Sequence, residues 1–182
     1  MKKNNLKKEV ALFLIILSLI FPVYHSYIKI NNQAYAKTIS IRVKRTKTKV
    51  NLSTLNNDIK KQINKYRKEK NIHSFKMKSD LSAMAKVRAK EIYKKFAHKR
   101  PNKKTLVDLA YKNKAKEYSV FGEVLLKMKY DKYVNISKIV VDSWKKSVSH
   151  DRVISARKYD YVGVGYYIKN GIIYVCAITA YI

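Results

Sequence analysis

The chain has 182 residues, a length that suits one domain and excludes a multidomain enzyme. Its hydrophobic fraction of 47% excludes a wholly disordered basic tail, because such tails lack the apolar surface that offsets the entropy of ordering. Lys and Arg number 41 against 12 Asp and Glu, so the formal net charge is +29 and a polyanionic partner is expected.

The basic residues are 34 Lys and only 7 Arg, and this ratio bears on the class of partner. Proteins that bind nucleic acid depend on Arg for bidentate contacts with bases and phosphates. A lysine-dominated chain therefore argues against nucleic acid. We expect anionic cell-envelope polymers or lipids as the partners of a monomeric protein, with a host or cell-surface protein as the alternative.

Residues 1–36 have the pattern of a secretory signal peptide. Four lysines precede an apolar run over residues 10–23, which is shorter than the about 20 residues that a membrane-spanning helix needs. The small-residue triplet at 34–36 then provides a cleavage point, so we expect a mature chain that begins at Lys37 with a net charge of +25. The alternative is an uncleaved N-terminal anchor. In both cases the domain lies outside the cytoplasm, secreted or associated with the cell wall.

After a basic linker over residues 37–54, two amphipathic helices are predicted. The first begins near Leu52, with Ser53 or Thr54 as its cap, and its apolar residues recur at intervals of three and four: Leu52, Leu55, Ile59, Ile63 and Tyr66. The second has Ser79 as its N-cap and a core-facing side that consists of Leu81, Met84, Ala85, Arg88, Ala89, Ile92 and Phe96. Pro101 prevents this helix from continuing.

The second half of the chain predicts two more helices and three strands. A weaker helix covers about residues 104–112, a buried strand covers 119–126, and a further helix starts at Ile136. The chain ends in a hairpin of two strands, 161–168 and 172–181, around the turn Asn170-Gly171. The lone Cys176 lies in the last strand, where we expect an inert buried thiol. This order of elements predicts an α+β fold, with an antiparallel sheet covered by helices.

Glu123 is the only charged residue in the apolar stretch 119–126. A buried carboxylate is costly unless a partner is bonded to it, so Glu123 either faces a polar cavity or has such a partner. The natural candidates are His98, which follows the second helix, and His150, which follows the helix that starts at Ile136. Two histidines and a carboxylate are also the ligand set of an open catalytic zinc site.

The spacing of these three residues matches no local metal motif, so capping or surface histidines are an open alternative. His73 lies in a loop and is interpreted as a surface residue. Ser147 and Ser149 lie near His150 in the sequence, but a chance neighbourhood is a better interpretation than a serine nucleophile.

Several short motifs follow one another at characteristic intervals over residues 55–182. In chain order they are Ile63-Asn64 with Arg67, then Leu81, Ala85, Arg88 and Ala89, then Phe96-Ala97-His98, Gly122-Glu123, Trp144 with Ser147 and His150, and Val162-Gly163-Val164-Gly165. This series resembles the superfamily of cysteine-rich secretory proteins, antigen 5 and pathogenesis-related 1 proteins, the CAP or SCP domain, in its compact bacterial form.

The resemblance implies a three-layer α-β-α sandwich around a small antiparallel sheet, with a central cleft that carries a His/Glu tetrad. Carried over by motif, His98, Glu123 and His150 line that cleft, and Ser147, Trp144 and Arg88 support it. The second glutamate of animal and plant members is Ser147 here, and the amide that usually follows the first is replaced by Val124. A site that lacks one carboxylate holds a divalent cation less tightly, so neither zinc nor calcium is a certain cofactor.

The resemblance also implies a function. We expect a secreted or wall-associated binding module, not an enzyme, whose cleft takes lipids or cell-surface components. The alternative is a metal-dependent hydrolase, in which His98 and His150 hold zinc and Glu123 is the general base.

Overall fold

The computed structural model describes residues 48–101 and 103–182, which fall within one compact unit, Val43–Ile182. The predicted signal peptide and most of the predicted linker lie outside the described residues. Among the helices of the described part, none has the length and apolar character needed to cross a bilayer.

The described residues form five helices and four strands, which confirms the α+β class. The helices are α1 (Leu55–Glu69), α2 (Ser79–Lys94), α3 (Leu106–Lys112), α4 (Ile136–Lys146) and α5 (Val148–Ile154). The strands are β1 (Lys76–Met77), β2 (Val120–Lys129), β3 (Tyr161–Lys169) and β4 (Ile172–Tyr181).

The strands form one sheet in the order β1-β3-β4-β2. The three long strands are antiparallel, and β3 and β4 are joined by the predicted turn. Asn170 and Gly171 in this turn have φ angles of 50° and 71°, the left-handed conformation that a type I′ hairpin requires. The two-residue β1, which the sequence pattern did not predict, pairs with β3 in parallel and makes the sheet mixed.

Helices cover both faces of the sheet, so the predicted three-layer arrangement is present. Alternate residues of β4 separate two cores, because successive side chains of a strand point to opposite faces. Val175 and Ala177 pack with buried residues of α1 and α4, while Cys176 and Ile178 pack with buried residues of α2 and α3. The Cys176 thiol is free and fully buried, as expected.

Two glycines of β3 allow the backbone of α2 to lie directly on the sheet. A Cβ atom built on Gly163 would lie 2.0 Å from the carbonyl carbon of Leu81, and one built on Gly165 would lie 2.2 Å from the amide nitrogen of Lys86. Real Cβ atoms never approach backbone atoms this closely. The next turn of α2 therefore holds Arg88 close to the sheet.

The boundaries of α2 correct two details of the sequence prediction. Ser79 is the first helical residue and Lys78 occupies the N-cap, while the carboxylate of Asp80 accepts a hydrogen bond from the amide of Leu81 over 2.7 Å. The helix ends at Lys94, so Phe96 lies beyond it and is 44% exposed instead of buried in the helix face.

Elements near the predicted site are also longer or more numerous than expected. Strand β2 continues to Lys129, three residues beyond the predicted end. The short helix α5 follows α4 after the single residue Ser147 and contains His150. The sequence pattern placed His150 after the helix that starts at Ile136 but did not predict α5.

Candidate functional site

The centre of the candidate site is a buried ion pair between β2 and α2. The side chain of Glu123 is 6% exposed and that of Arg88 is fully buried. Arg88 donates from Nε to Oε1 of Glu123 over 2.5 Å and from Nη2 to Oε2 over 3.3 Å. Burial lowers the pKa of Arg88, but the hydrogen bond and charge of Glu123 and the hydrogen bond of Glu91 outweigh it, and the pKa lies above its usual value. The carboxylate of Glu123 is thus compensated by a fixed positive charge.

His98 lies against the same carboxylate. With Nδ1 protonated, His98 donates to Oε2 of Glu123 over 2.7 Å, and its side chain is 62% exposed. Arg88 fixes the backbone of this segment as well, because its Nη2 donates to the carbonyl oxygens of Ala97 and His98 over 3.0 and 3.1 Å. The imidazole is therefore fixed on its Nδ1 side by Glu123, and its Nε2 lies on the side of the ring away from this carboxylate.

A second carboxylate extends the network behind His98. Glu91 accepts from Nη1 of Arg88 over 2.7 Å and from Nη2 of Arg100 over 2.7 Å, and Arg100 also donates from Nη1 to the carbonyl oxygen of Thr105 over 3.0 Å. Burial raises the pKa of Glu91, but these hydrogen bonds outweigh it and hold the pKa below its usual value. Glu91 and Arg100 were not singled out in the sequence, although Glu91 lies three residues after Arg88, a spacing that brings helical side chains together.

His150 approaches His98 from α5. The two ring centroids are 6.2 Å apart and the ring planes are inclined by 48°. Burial and the charge of His98 lower the pKa of His150, so its neutral form is favoured. The structure thus brings His98 and Glu123 into direct contact and places His150 beside His98.

Helix α1 holds α5 in this position. Asp151, the neighbour of His150, accepts from the hydroxyl of Tyr66 over 2.7 Å and from Nζ of Lys70 over 3.1 Å. The buried Arg67 donates from Nη1 to the carbonyl oxygens of Ile154 and Ala156, both over 3.0 Å. These long-range bonds connect the end of α5 to the core.

Trp144 and Ser147, the other predicted supporting residues, differ in environment. Trp144 is fully buried and donates from Nε1 to the carbonyl oxygen of Leu125 over 3.2 Å, so it fastens α4 to β2. Ser147 lies between α4 and α5, and its hydroxyl is 3.2 Å from that of Ser149. His73 is exposed as expected, with Nε2 3.0 Å from both the carbonyl oxygen of Tyr159 and Oδ1 of Asp160.

These residues do not fit a three-ligand catalytic zinc site. The oxygens of Glu123 are occupied by N–H donors of Arg88 and His98, and the guanidinium places a positive charge beside them. Across residues 48–101 and 103–182, no cluster of three or more His, Cys, Asp or Glu side chains is arranged to hold a metal ion. The two imidazoles of His98 and His150 remain as available ligands, one fewer than the three protein ligands of a catalytic zinc site.

The sequence matches the family model for CAP, the Cysteine-rich secretory protein family, over residues 61–178. Because the match covers more than half of the chain, the protein belongs to the CAP family. No curated protein matches the sequence.

Solved structures share this fold. An outer surface protein from Borrelia burgdorferi is 17% identical with a TM-score of 0.62, and the match covers 72% of this chain and 96% of that one. An extracellular SCP-domain protein from Bacillus anthracis is 17% identical with a TM-score of 0.56, over 69% of this chain and 40% of that one. A cysteine-rich secretory protein from Staphylococcus aureus is 19% identical with a TM-score of 0.55, over 70% and 38%. This chain thus spans less than half of the length of the last two proteins, and the likeness shows the fold alone.

Proposed function

We propose that this CAP-domain protein is a secreted or wall-associated binding module, and that His98, Glu123 and His150 contact its ligand, a lipid or another cell-surface component. Family membership supports this proposal, as do the descriptions of its structural neighbours as outer-surface or extracellular proteins.

The hydrogen bonds around Glu123 are the reason why we propose a binding function and not a catalytic one. A general base must be within reach of the proton that it removes and must have an oxygen free to accept it. Both oxygens of Glu123 accept hydrogen bonds from Arg88 and His98, and the side chain is buried. Glu123 is therefore suited to orient His98. The exposed imidazole of His98 can donate a hydrogen bond to a ligand or accept one from it.

The loop between α2 and α3 favours a negatively charged ligand. No acidic residue occurs between Glu91 and Asp108, and the lysines of this segment are exposed: Lys94, Lys95, Lys99, Lys103 and Lys104. His98 lies in the middle of this basic segment. A phosphate or carboxylate of a cell-envelope polymer or lipid beside His98 would be attracted to these charges.

Binding of the purified protein to isolated bacterial cell envelopes tests the proposal. His98→Ala removes the exposed imidazole, while Glu123→Gln keeps the shape of the side chain and removes its charge. We expect both variants to bind about tenfold more weakly than the wild type, because each disturbs a contact at the centre of the site. His73→Ala is the matched control, since this histidine is exposed on a different loop. Equal binding by His98→Ala and His73→Ala would contradict the proposal.

The hydrolase alternative has one structural argument in its favour. A carboxylate bonded to one imidazole nitrogen is common behind metal-ligating histidines, and Glu123 has this relation to His98. Metal analysis of the same protein distinguishes the two functions. We expect no zinc or calcium to be retained through gel filtration, because only two imidazoles are available as ligands. Retained zinc that is lost in both His98→Ala and His150→Ala would favour the hydrolase.

A further inference from the structure

The sheet face beneath α2 continues beyond the end of that helix. Tyr167 of β3 pairs with Tyr174 of β4, and Tyr174 pairs with Lys127 of β2, so the three side chains form one row across the sheet. Because side chains alternate along a strand, the next row on the same face is Lys169, Ile172 and Lys129. Because helix α2 ends at Lys94, these two rows lie at the edge of the sheet surface that the helix covers.

Aromatic rings from the end of α2 complete this surface. The ring of Tyr93 lies 5.7 Å from that of Tyr167 and 5.7 Å from that of Tyr174, inclined by 60° and 75°. The ammonium group of Lys127 lies 5.1 Å from the centroid of the Phe96 ring. Tilted aromatic pairs of this kind are mutually stabilising and hold each ring in place. We call Tyr93, Phe96, Tyr167 and Tyr174 the tyrosine platform.

The edge of the tyrosine platform is basic. Lys127, Lys129 and Lys169 are exposed within the two rows, which contain no acidic residue, and Lys94 and Lys95 end the adjoining helix. The platform adjoins the His98 site, because Phe96 lies two residues before His98, and Lys94 and Lys95 belong to the basic segment around that histidine. Its strand residues lie apart from Glu123, since Lys127 is four residues further along β2, about 13 Å for an extended strand. Fixed aromatic faces and a basic edge thus occur together on strand residues that the proposed function does not use.

This combination points to a class of ligand. Flat aromatic faces pack against the apolar C–H faces of sugar rings, tyrosine hydroxyls form hydrogen bonds with sugar hydroxyls, and lysines attract acidic substituents. A bilayer surface would require protruding apolar side chains, but three of the four rings are half-buried and only Phe96 is exposed. We propose that the tyrosine platform binds an acidic polysaccharide, with sugar rings on the tyrosines and acidic groups on the lysines.

Calorimetric titration of the purified protein with carboxymethyl dextran tests this proposal, and unmodified dextran is the uncharged probe with the same backbone. Tyr174→Leu removes a ring but keeps apolar cover, and Tyr111→Leu, an exposed tyrosine on α3, is its control. We expect carboxymethyl dextran to bind more tightly than dextran, and Tyr174→Leu to weaken its binding about tenfold while Tyr111→Leu does not. Tyr93→Leu gives the same comparison if Tyr174→Leu does not fold.

The contribution of charge is tested with two triple variants of equal net charge. Substitution of Lys127, Lys129 and Lys169 by Gln is expected to weaken binding more than the same substitution of Lys61, Lys68 and Lys158, which are exposed elsewhere. Equal losses in both triple variants, with no effect of Tyr174→Leu, would show unspecific charge attraction and overturn the proposal. The proposal would also be overturned if the protein bound phosphatidylglycerol vesicles in a way that depends on Tyr174 and did not bind carboxymethyl dextran. A loss in His98→Ala as large as in Tyr174→Leu would assign the polysaccharide to the His98 site instead.

Discussion

Arg88 and Glu123 are individually unfavourable in the core, and each is tolerated because the other is present. Removing two charges from water costs several kcal/mol, which is recovered here by a short two-point contact and by the additional partners His98 and Glu91. The pair also has a positional role, because the same guanidinium holds the backbone carbonyl oxygens of Ala97 and His98. Stability and site geometry therefore depend on the same side chain.

Arg88→Gln should lower the free energy of unfolding by about 3–5 kcal/mol, because it leaves the buried carboxylate of Glu123 without its counter-charge. Urea denaturation followed by circular dichroism measures this change. In the double variant Arg88→Met/Glu123→Leu no uncompensated charge remains, so we expect most of the stability to return. A double variant as unstable as Arg88→Gln alone would contradict this account of the pair.

Stability should also depend on pH through His150. Burial and the charge of His98 hold its folded-state pKa below the ordinary value of 6.5. Between these two values the unfolded chain binds more protons than the folded one, so the free energy of unfolding falls as the pH is lowered through this window. Unfolding of His150→Gln, measured from about pH 7.5 to about pH 5, should show a smaller fall. A fall as large as that of the wild type would contradict the assignment of this pH dependence to His150.

The sequence predicted that a buried Glu123 has a bonded partner, but it did not identify the principal one. An isolated charge in an apolar strand indicates that a partner exists, and histidines were expected to supply it. The partner with two bonds is instead Arg88, which the helical pattern had already placed on the buried face of α2. The sequence does not reveal which residues of separate elements meet, and here the two are 35 positions apart.

At the scale of elements, the contact between α2 and β3 determines the geometry of the site. The helix approaches the strand so closely that only glycine fits at two alternate positions, 163 and 165. The close approach of the helix explains the two glycines in the Val-Gly-Val-Gly pattern, because glycine inside a strand is otherwise unfavourable. The helix that carries Arg88 and leads to His98 is thereby seated at a defined distance from Glu123.

Gly163→Ala should lower the free energy of unfolding by about 3 kcal/mol, because the added methyl group overlaps the backbone of Leu81 and Ser82. Gly171→Ala is the comparison, since its Cβ would meet nothing within 4 Å and only its positive φ is unfavourable, at a cost of about 1 kcal/mol. Chemical denaturation of both variants gives the two values. If Gly163→Ala costs no more than Gly171→Ala, the helix is able to move away from the strand.

Long elements with clear periodicity were predictable, and short ones were not. The cores of α1, α2 and α4 and the terminal hairpin follow from apolar spacing and turn residues. The two-residue β1 has too few side chains to show a period, and the seven-residue α5 follows α4 almost directly. For this reason the sequence placed His150 after α4 without assigning it to a helix. Its approach to His98 depends on bonds from Tyr66 and Arg67 to residues near or in α5, about 85–89 positions away.

At the scale of the whole molecule, the most pronounced property is the positive charge, since 41 basic residues stand against 12 acidic ones. Both proposed ligand surfaces are associated with exposed lysines, around His98 and around the tyrosine platform. A surface of this kind attracts polyanions over long distances at low ionic strength and much less at high ionic strength.

Binding of the protein to phosphatidylglycerol vesicles or to a wall polymer rich in phosphate should fall steeply as salt is added. The electrostatic screening length shortens from about 30 Å at 0.01 M to about 8 Å at physiological ionic strength, so distant lysines cease to contribute. Co-sedimentation at a series of salt concentrations measures this dependence. Retention that is equal at low and high salt would mean that charge has no part in binding.

The strand order has a consequence for how the protein is made. β4 lies between β3 and β2 in the sheet, although it is the last described strand in the chain. Arg67 likewise donates to the carbonyl oxygens of Ile154 and Tyr159, which lie 87 and 92 residues further along the chain. During synthesis from the N-terminus, β2 and β3 have no central strand to pair with until residues 172–181 are made. The three long strands of the sheet can therefore assemble only after the last of them has left the ribosome.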